Sequence, residues 1–175
     1  MSRSARLWVV ALVAVAIVGT ASAQVTRFRG SASGNFTAHL SGAGEVPPVE
    51  TEAAGQAVMS LNADRTEIRF KVLVANIVKV TQSHIHCGAA GVNGPVVAFL
   101  FGFIPDGETL DGILAQGKLT ETNVIPRPDS AACPGGVADF NDMLAKMESG
   151  DAYVNVHTVD HPGGEVRGQI RPPVQ

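Results

Sequence analysis

Apolar and polar residues alternate along most of the chain that follows residue 35. In Phe36–Leu40 every second residue is apolar, and the same period of two returns in Ala57–Leu61 and Ile68–Val74. Such alternation is typical of β-strands that turn one face to a core and the other to solvent. Further strands are predicted at Val80–His86, Val96–Phe101, Ile113–Thr120, Ala152–Thr158 and Glu165–Ile170.

One segment, Ala138–Ser149, has a helical period instead. Its apolar residues recur every three or four positions, and Gly150 stands where a helix would end. A stripe of Met and Phe residues at this spacing is typical of a helix that packs on a core, not of a cofactor site. About eight short strands and one short helix in a connection predict an all-β fold, an antiparallel Greek-key sandwich or barrel.

The first 23 residues differ from the rest. Two arginines precede an unbroken apolar run, Leu7–Val18, and three small residues end at Ala23. This order is typical of a cleavable export signal, and so short a run cannot span a bilayer core of roughly 30 Å. We therefore predict a signal peptide over residues 1–23 and one secreted or periplasmic domain over residues 24–175, with no membrane span. An uncleaved N-terminal anchor is the alternative.

Charge narrows the range of partners. Removal of the signal takes away two of the 13 basic residues and none of the 16 acidic ones, which leaves the mature chain at −5. Nucleic-acid binding depends on lysine and arginine residues that neutralise phosphates, so this balance argues against such a partner. A domain of about 150 residues can bury a core without needing a metal ion to fold.

The chain has two cysteines, Cys87 and Cys133. In an oxidising compartment the simplest interpretation is one disulfide, which would close a loop of about 46 residues and stabilise the fold by roughly 3–4 kcal/mol. A cysteine-containing metal site is the alternative, which the absence of a Cys-x-x-Cys pair disfavours.

Three of the five histidines fall in two predicted strands. His84 and His86 are two apart, so both imidazoles lie on one strand face with their Cα atoms about 7 Å apart. His157 shares the polar face of a later strand with Tyr153 and Asn155, which are candidates to orient a ligand imidazole. If the two strands are neighbours, the three imidazoles form a nitrogen site for a metal ion. Solvated strand faces are the alternative.

For other polar residues the sequence supports only weaker hypotheses about a role in the site. His161 follows in a turn, where it is either a fourth metal ligand or a solvated side chain beside Asp160. Arg167 lies in the closing strand, where it either joins the histidines or pairs with Glu165 at the surface. Three acidic residues are interpreted as part of a solvated loop: Glu45, Glu50 and Glu52.

Three segments are distributed over essentially the whole mature domain: Leu40–Leu61, Ser83–Phe101 and Tyr153–Ile170. Their sequences LSGAGEVPPVETEAAGQAVMSL, SHIHCGAAGVNGPVVAFLF and YVNVHTVDHPGGEVRGQI resemble the CHRD domain, a module named for its repeats in chordin and found in exported bacterial proteins. The resemblance implies an all-β sandwich outside the cytoplasm. It also implies a protein partner, because chordin is used in protein binding, but it does not fix one activity.

The motifs SHIHCG, VNVHT and HPGGEVRGQI follow each other in an order similar to that of the metal-site motifs in copper–zinc superoxide dismutases. This weaker resemblance implies that superoxide or another small anion is the substrate. It also implies that Cys87 is one end of a stabilising disulfide, although Cys133 lies in a loop and not in the last strand. The remaining implied roles are copper ligation by His84, His86 and His157, and anion guidance by Arg167.

A zinc subsite of the copper–zinc type is missing, because the loop after His86 holds no further histidine and no aspartate before Asp106. Three imidazoles without a thiolate suit copper or zinc, but copper heads the affinity series and can change its redox state. The predicted function is therefore an exported copper-binding CHRD-domain protein, in its enzymatic form a copper-only superoxide dismutase-like enzyme. The alternatives are a non-enzymatic binding or adhesion module and a copper storage or delivery protein.

Overall fold

The computed structural model describes residues 34–172, so the predicted signal peptide lies outside the described residues. Within that range every named strand pairing is antiparallel. The all-β prediction is therefore confirmed. The elements are β1 (Asn35–Ser41), β2 (Ala54–Leu61), β3 (Ile68–Cys87), β4 (Val96–Phe101), β5 (Glu108–Leu119), α1 (Phe140–Ser149), β6 (Ala152–Thr158) and β7 (Val166–Gln169).

The sheet closes on itself through β3. The first half of β3 pairs with β2 and its second half pairs with β6. Strands β1 and β7 complete the ring, since β1 pairs with both β2 and β7, and β7 pairs with β6. Strands β5 and β4 pair with the first and second halves of β3 as additions to this barrel.

Strand β3 joins two segments that the alternation pattern predicts as separate strands, Ile68–Val74 and Val80–His86. It runs for 20 residues, and its irregular stretch lies where Asn76 and Lys79 adopt positive φ angles of 54° and 55°. The register with β5 shifts in the same stretch. Bulges of this kind bend and twist a strand without ending it. The first half of β3 therefore closes the barrel, while the second half carries the paired histidines to β6.

Helix α1 begins two residues later than its apolar pattern predicts. The carboxylate of Asp139 accepts a hydrogen bond from the backbone N–H of Asp142 and caps the helix, and Gly150 ends it at a φ of 80°. An aspartate N-cap and a glycine in the left-handed region are both common at helix ends. The prediction that the apolar stripe faces the core is confirmed, because all its members are buried: Val137, Phe140, Leu144 and Met147.

No helix among residues 34–172 is long and apolar enough to cross a membrane.

The predicted disulfide between Cys87 and Cys133 is present, and both residues are buried. Cys87 is the last residue of β3, and Cys133 lies in the connection before α1, with Cα atoms 5.5 Å apart. The bond therefore fastens the long β5–α1 connection to the strand that carries His84 and His86.

Replacing both cysteines, Cys87→Ala with Cys133→Ala, is expected to lower the free energy of unfolding by about 3–4 kcal/mol, because the unfolded chain gains loop entropy. Urea unfolding of the oxidised protein and the double variant measures this difference. The reduced wild type is the control, since it lacks the bond but keeps both side chains. Equal stability of all three samples would contradict the prediction.

Candidate metal centre

The three predicted ligand histidines meet because β3 and β6 are neighbours. In their antiparallel register His84 lies opposite Asn155, and His86 lies opposite Tyr153. Residues opposite each other in such a pair point to the same face of the sheet. His157 pairs one step further along, with Gln82. One ring nitrogen from each histidine lies within 4.8 Å of the other two, and all three side chains are buried.

Backbone carbonyls hold the outer nitrogens of two of these rings. His86 Nδ1 donates to the Gly94 carbonyl oxygen at 2.8 Å, and His157 Nδ1 donates to the Pro162 carbonyl oxygen at 2.9 Å. A carbonyl only accepts, so the proton lies on Nδ1 and leaves a lone pair on Nε2. Metal-binding histidines are usually held in this way, with the second nitrogen hydrogen-bonded to a carbonyl or carboxylate.

Most of the inner atoms of the cluster have no hydrogen-bond partner. His84 Nδ1 and His157 Nε2 share a hydrogen bond at 3.1 Å, but three other buried atoms of the cluster have none: His84 Nε2, His86 Nε2 and Asn155 Oδ1. Unsatisfied polar atoms in a protein interior cost about 1–3 kcal/mol each, so a group of them indicates a site built for a ligand.

A metal ion fits this donor set. Metal–nitrogen bonds near 2.0 Å hold ligand nitrogens about 3–3.5 Å apart, so small side-chain adjustments would bring these three around one ion. In the described part of the chain the group contains only histidines, with no thiolate or carboxylate. The three histidines therefore offer a site of nitrogen donors alone.

Burial keeps these imidazoles neutral. Desolvation lowers the pKa of His84 to about 3, with help from the neighbouring His157 and His86. It also lowers the pKa of His86 to about 4, although the hydrogen bond to Gly94 acts in the opposite direction. The pKa of His157 is lowered by burial as well. Neutral imidazole is the form that binds metal ions, so the cluster is ready to ligate over a wide pH range.

Aromatic rings pack against the imidazoles of His84 and His86. Tyr153 stacks on His86 with centroids 4.6 Å apart and planes 10° apart, and Phe99 packs edge-on against His84 at 4.5 Å. Tyr153 thus contacts the ring of a candidate ligand through stacking, while its hydroxyl accepts a hydrogen bond from the Gly94 N–H. Asn155 lies next to the cluster on the same face.

Arg167 lies on the same face and is 2% exposed. Its guanidinium carbon stands 3.3 Å from the Tyr153 ring centroid. The two terminal nitrogens donate to Asn93 Oδ1 at 3.0 Å and to the Val92 carbonyl oxygen at 2.8 Å. Arg167 therefore joins the histidines through Tyr153 and the loop between β3 and β4, residues 88–95.

The alternative pairing of Arg167 with Glu165 does not form in the described structure. Glu165 is buried and its two carboxylate oxygens accept hydrogen bonds from the hydroxyls of Thr51 and Thr158, each at 2.7 Å. Glu165 and Arg167 thus each form their hydrogen bonds with other groups.

His161 does not join the histidine cluster. It is partly exposed in the turn after β6, where its backbone N–H donates to Thr158 Oγ1 at 3.1 Å. Among residues 34–172 the metal-binding group consists of His84, His86 and His157 without it. The geometry therefore gives no support to the prediction of a fourth histidine ligand.

The interpretation of Glu45 as a solvated loop residue is wrong, although Glu50 and Glu52 are exposed as expected. Glu45 is buried, and its Oε1 has no hydrogen-bond partner. Burial raises its pKa to about 7, against the opposing effect of the nearby Arg167 charge. Gly164 leaves room for the buried carboxylate, since a Cβ there would lie 2.5 Å from Glu45 Oε1.

Comparisons with known proteins agree with this architecture. The profile of the CHRD domain matches residues 36–170, a range that runs from β1 to the end of β7 and includes all three clustered histidines. Chordin from Xenopus laevis is 26% identical over 128 residues, which are 73% of this chain and 12% of chordin. The chain thus spans about an eighth of that relative's length. No solved structure is significantly similar.

Neither match is to a superoxide dismutase, so that resemblance stays a prediction. The profile match over most of the chain establishes the family: this chain belongs to the CHRD domain family.

Proposed function

We propose that this protein is exported and binds one copper ion through His84, His86 and His157. The observation that carries the proposal is the convergence of three buried imidazoles, with one nitrogen of each within 4.8 Å of the others. Carbonyl oxygens hold the outer nitrogens of His86 and His157, which leaves a lone pair on each Nε2; His157 Nε2 would exchange its hydrogen bond with His84 Nδ1 for the ion. The disulfide supports the export part of the proposal, because such bonds persist in oxidising compartments.

Copper is the metal of choice for a site of nitrogen donors alone. Imidazole suits both copper and zinc, and copper stands highest in the divalent affinity series. A bound copper ion would supply one-electron redox chemistry, which zinc does not. Zinc therefore remains the alternative occupant, and it would make the site a structural one.

The enzymatic form of the proposal is superoxide dismutase-like activity. Its support is the order of the ligand motifs and the cationic Arg167, which lies near the cluster and would attract a small anion. The residues of the chain hold three neutral imidazoles in place at physiological pH.

A copper storage or delivery role is the second candidate, and the burial of the ligands favours it. The three histidine side chains are only 3–8% exposed, and Phe99 packs against His84. Closed sites are typical of metal ions held without turnover, whereas catalytic sites keep an open position.

The exported chain, loaded with Cu(II) and desalted, is expected to retain roughly one copper per molecule by elemental analysis, since three converging imidazoles bind it tightly. The variant with His84→Ala and His86→Ala is expected to retain none, because one imidazole alone holds copper weakly.

His39→Ala is the matched control, since His39 is exposed on β1 and lies outside the cluster. His161→Ala should also keep its copper, and loss there would restore the fourth-ligand hypothesis. A wild-type chain that retains no metal would overturn the proposal and leave a CHRD binding or adhesion module.

Copper affinity is expected to stay nearly constant between pH 7.5 and pH 5. Protons compete with copper only below the pKa of each ligand, and burial places the pKa of His84 at about 3 and that of His86 at about 4. At pH 5 these two imidazoles are still neutral, and burial lowers the pKa of His157 in the same direction, whereas ordinary histidines would each weaken binding about tenfold per unit below pH 6.5. Competition with a chromophoric chelator measures the affinity, and a steep loss that begins near pH 6.5 would contradict the expectation.

The copper-loaded protein is expected to accelerate superoxide disproportionation, and the double histidine variant is expected to lose that acceleration together with its copper. A superoxide assay on the samples used for elemental analysis measures this. Full copper occupancy without turnover would refute the enzymatic form and assign the protein to copper storage or delivery.

A further inference from the structure

We propose that Arg167 is a positioning residue, which fixes the ligand nitrogen of His86 through the loop of residues 88–95. The inference rests on the proposed metal site. It differs from the anion-guiding role that the resemblance implies, because it depends on the forked shape of the guanidinium and not on its charge alone.

The first step is the set of hydrogen bonds from Arg167 to the loop. Its guanidinium donates to Asn93 Oδ1 at 3.0 Å and to the backbone oxygens of Val92 at 2.8 Å and Ala89 at 3.4 Å. The side chain is buried, so these acceptors replace water around a desolvated cation. A planar fork with several fixed donors can serve three acceptors at once, while a lysine ammonium cannot match that geometry.

The second step leads from the loop to the ligand. Gly94 follows Asn93 directly, and its carbonyl oxygen accepts the hydrogen bond from His86 Nδ1 at 2.8 Å. No side chain fits at residue 94, where a Cβ would collide with the Cys87 carbonyl. The guanidinium thus fixes the backbone immediately before the carbonyl that keeps the His86 proton on Nδ1.

The third step is the stack of three planar groups. The Arg167 guanidinium lies over the Tyr153 ring, and the Tyr153 ring lies parallel to the His86 imidazole. Cation–π contact and ring stacking both favour this order. Arg167 therefore restricts the orientation of the His86 ring in two ways. It holds the loop whose Gly94 carbonyl bonds His86 Nδ1, and it packs on the Tyr153 ring that covers the imidazole face.

Loss of the guanidinium is expected to let the His86 proton move from Nδ1 to Nε2. Free imidazole side chains prefer the proton on Nε2, the nitrogen that must carry the lone pair for ligation here. In Arg167→Met or Arg167→Lys the loop carbonyls lose their common donor, and the Gly94 oxygen is held less firmly at His86 Nδ1, because the Tyr153 ring whose hydroxyl bonds the Gly94 N–H also loses the guanidinium that covers it. A misplaced proton or carbonyl in this position typically weakens metal binding by about 10–100-fold.

The test is nitrogen-15 NMR of the metal-free protein, which reports the His86 tautomer. The wild type is expected to show the Nδ1–H form, and both Arg167 variants are expected to shift toward Nε2–H. Copper titration of the same variants should show at least a tenfold loss of affinity, with Arg167→Lys no better than Arg167→Met.

Gln169→Leu is the matched control. Gln169 Nε2 donates to the carbonyl oxygens of Gly88 and Gly150, at 2.8 Å and 2.7 Å, so it anchors the opposite end of the same loop. This variant is expected to lower thermal stability while the His86 tautomer stays Nδ1–H. If the Arg167 variants fail to fold, Asn93→Ala removes one guanidinium acceptor and keeps the arginine, and it should produce a smaller shift in the same direction.

Three results would overturn the inference. An unchanged Nδ1–H form in the folded Arg167 variants would do so, as would full rescue by Arg167→Lys, which would assign the role to charge. An equal tautomer shift in Gln169→Leu would make Arg167 one loop anchor among others. A wild type that binds no copper would end the proposed function, yet the tautomer measurement would still decide the positioning role.

Discussion

The pairing of the second half of β3 with β6 is the interaction on which the candidate site depends. It places His84 and His86 beside Tyr153 and Asn155 on one face, while Ile85 and Val154 pack into the core on the other. A register slip by one residue would turn the histidines inward and expose apolar side chains, so the hydrophobic core itself fixes the ligand geometry. The geometry of the candidate metal centre therefore follows from ordinary β-sheet packing.

Much of this could be predicted from local pattern. Alternation alone places His84 and His86 on one face, and helical spacing locates α1 to within two residues of its start. The adjacency of β3 and β6 is a different matter, because it joins His84 to His157 across 73 positions of sequence and no local pattern encodes such a contact. The continuity of β3 is hard to predict for a local reason: the bulge near Asn76 breaks the alternation without ending the strand.

The burial of Glu45 and Arg167 is harder still to predict from the sequence. Both are charged residue types that usually stay in water, and both are buried here. Arg167 is satisfied mostly by backbone oxygens of a loop, and backbone acceptors leave no trace in the identity of residues such as Ala89 and Val92. Loop coverage also explains the opposite pKa shifts, because the same desolvation that keeps His84 neutral disfavours the charged form of Glu45.

The sequence distance within the ligand set has a consequence for how the protein matures. Two of the three candidate ligands, His84 and His86, lie on the central strand β3, but the third, His157, lies on β6, the penultimate strand in the chain. Contacts between residues so far apart form late, since the entropy of closing a long loop must be lost before the contacts contribute any stabilising free energy. A nascent or partly folded chain holds at most two of these imidazoles side by side, so the three-histidine cluster is complete only when the fold is complete.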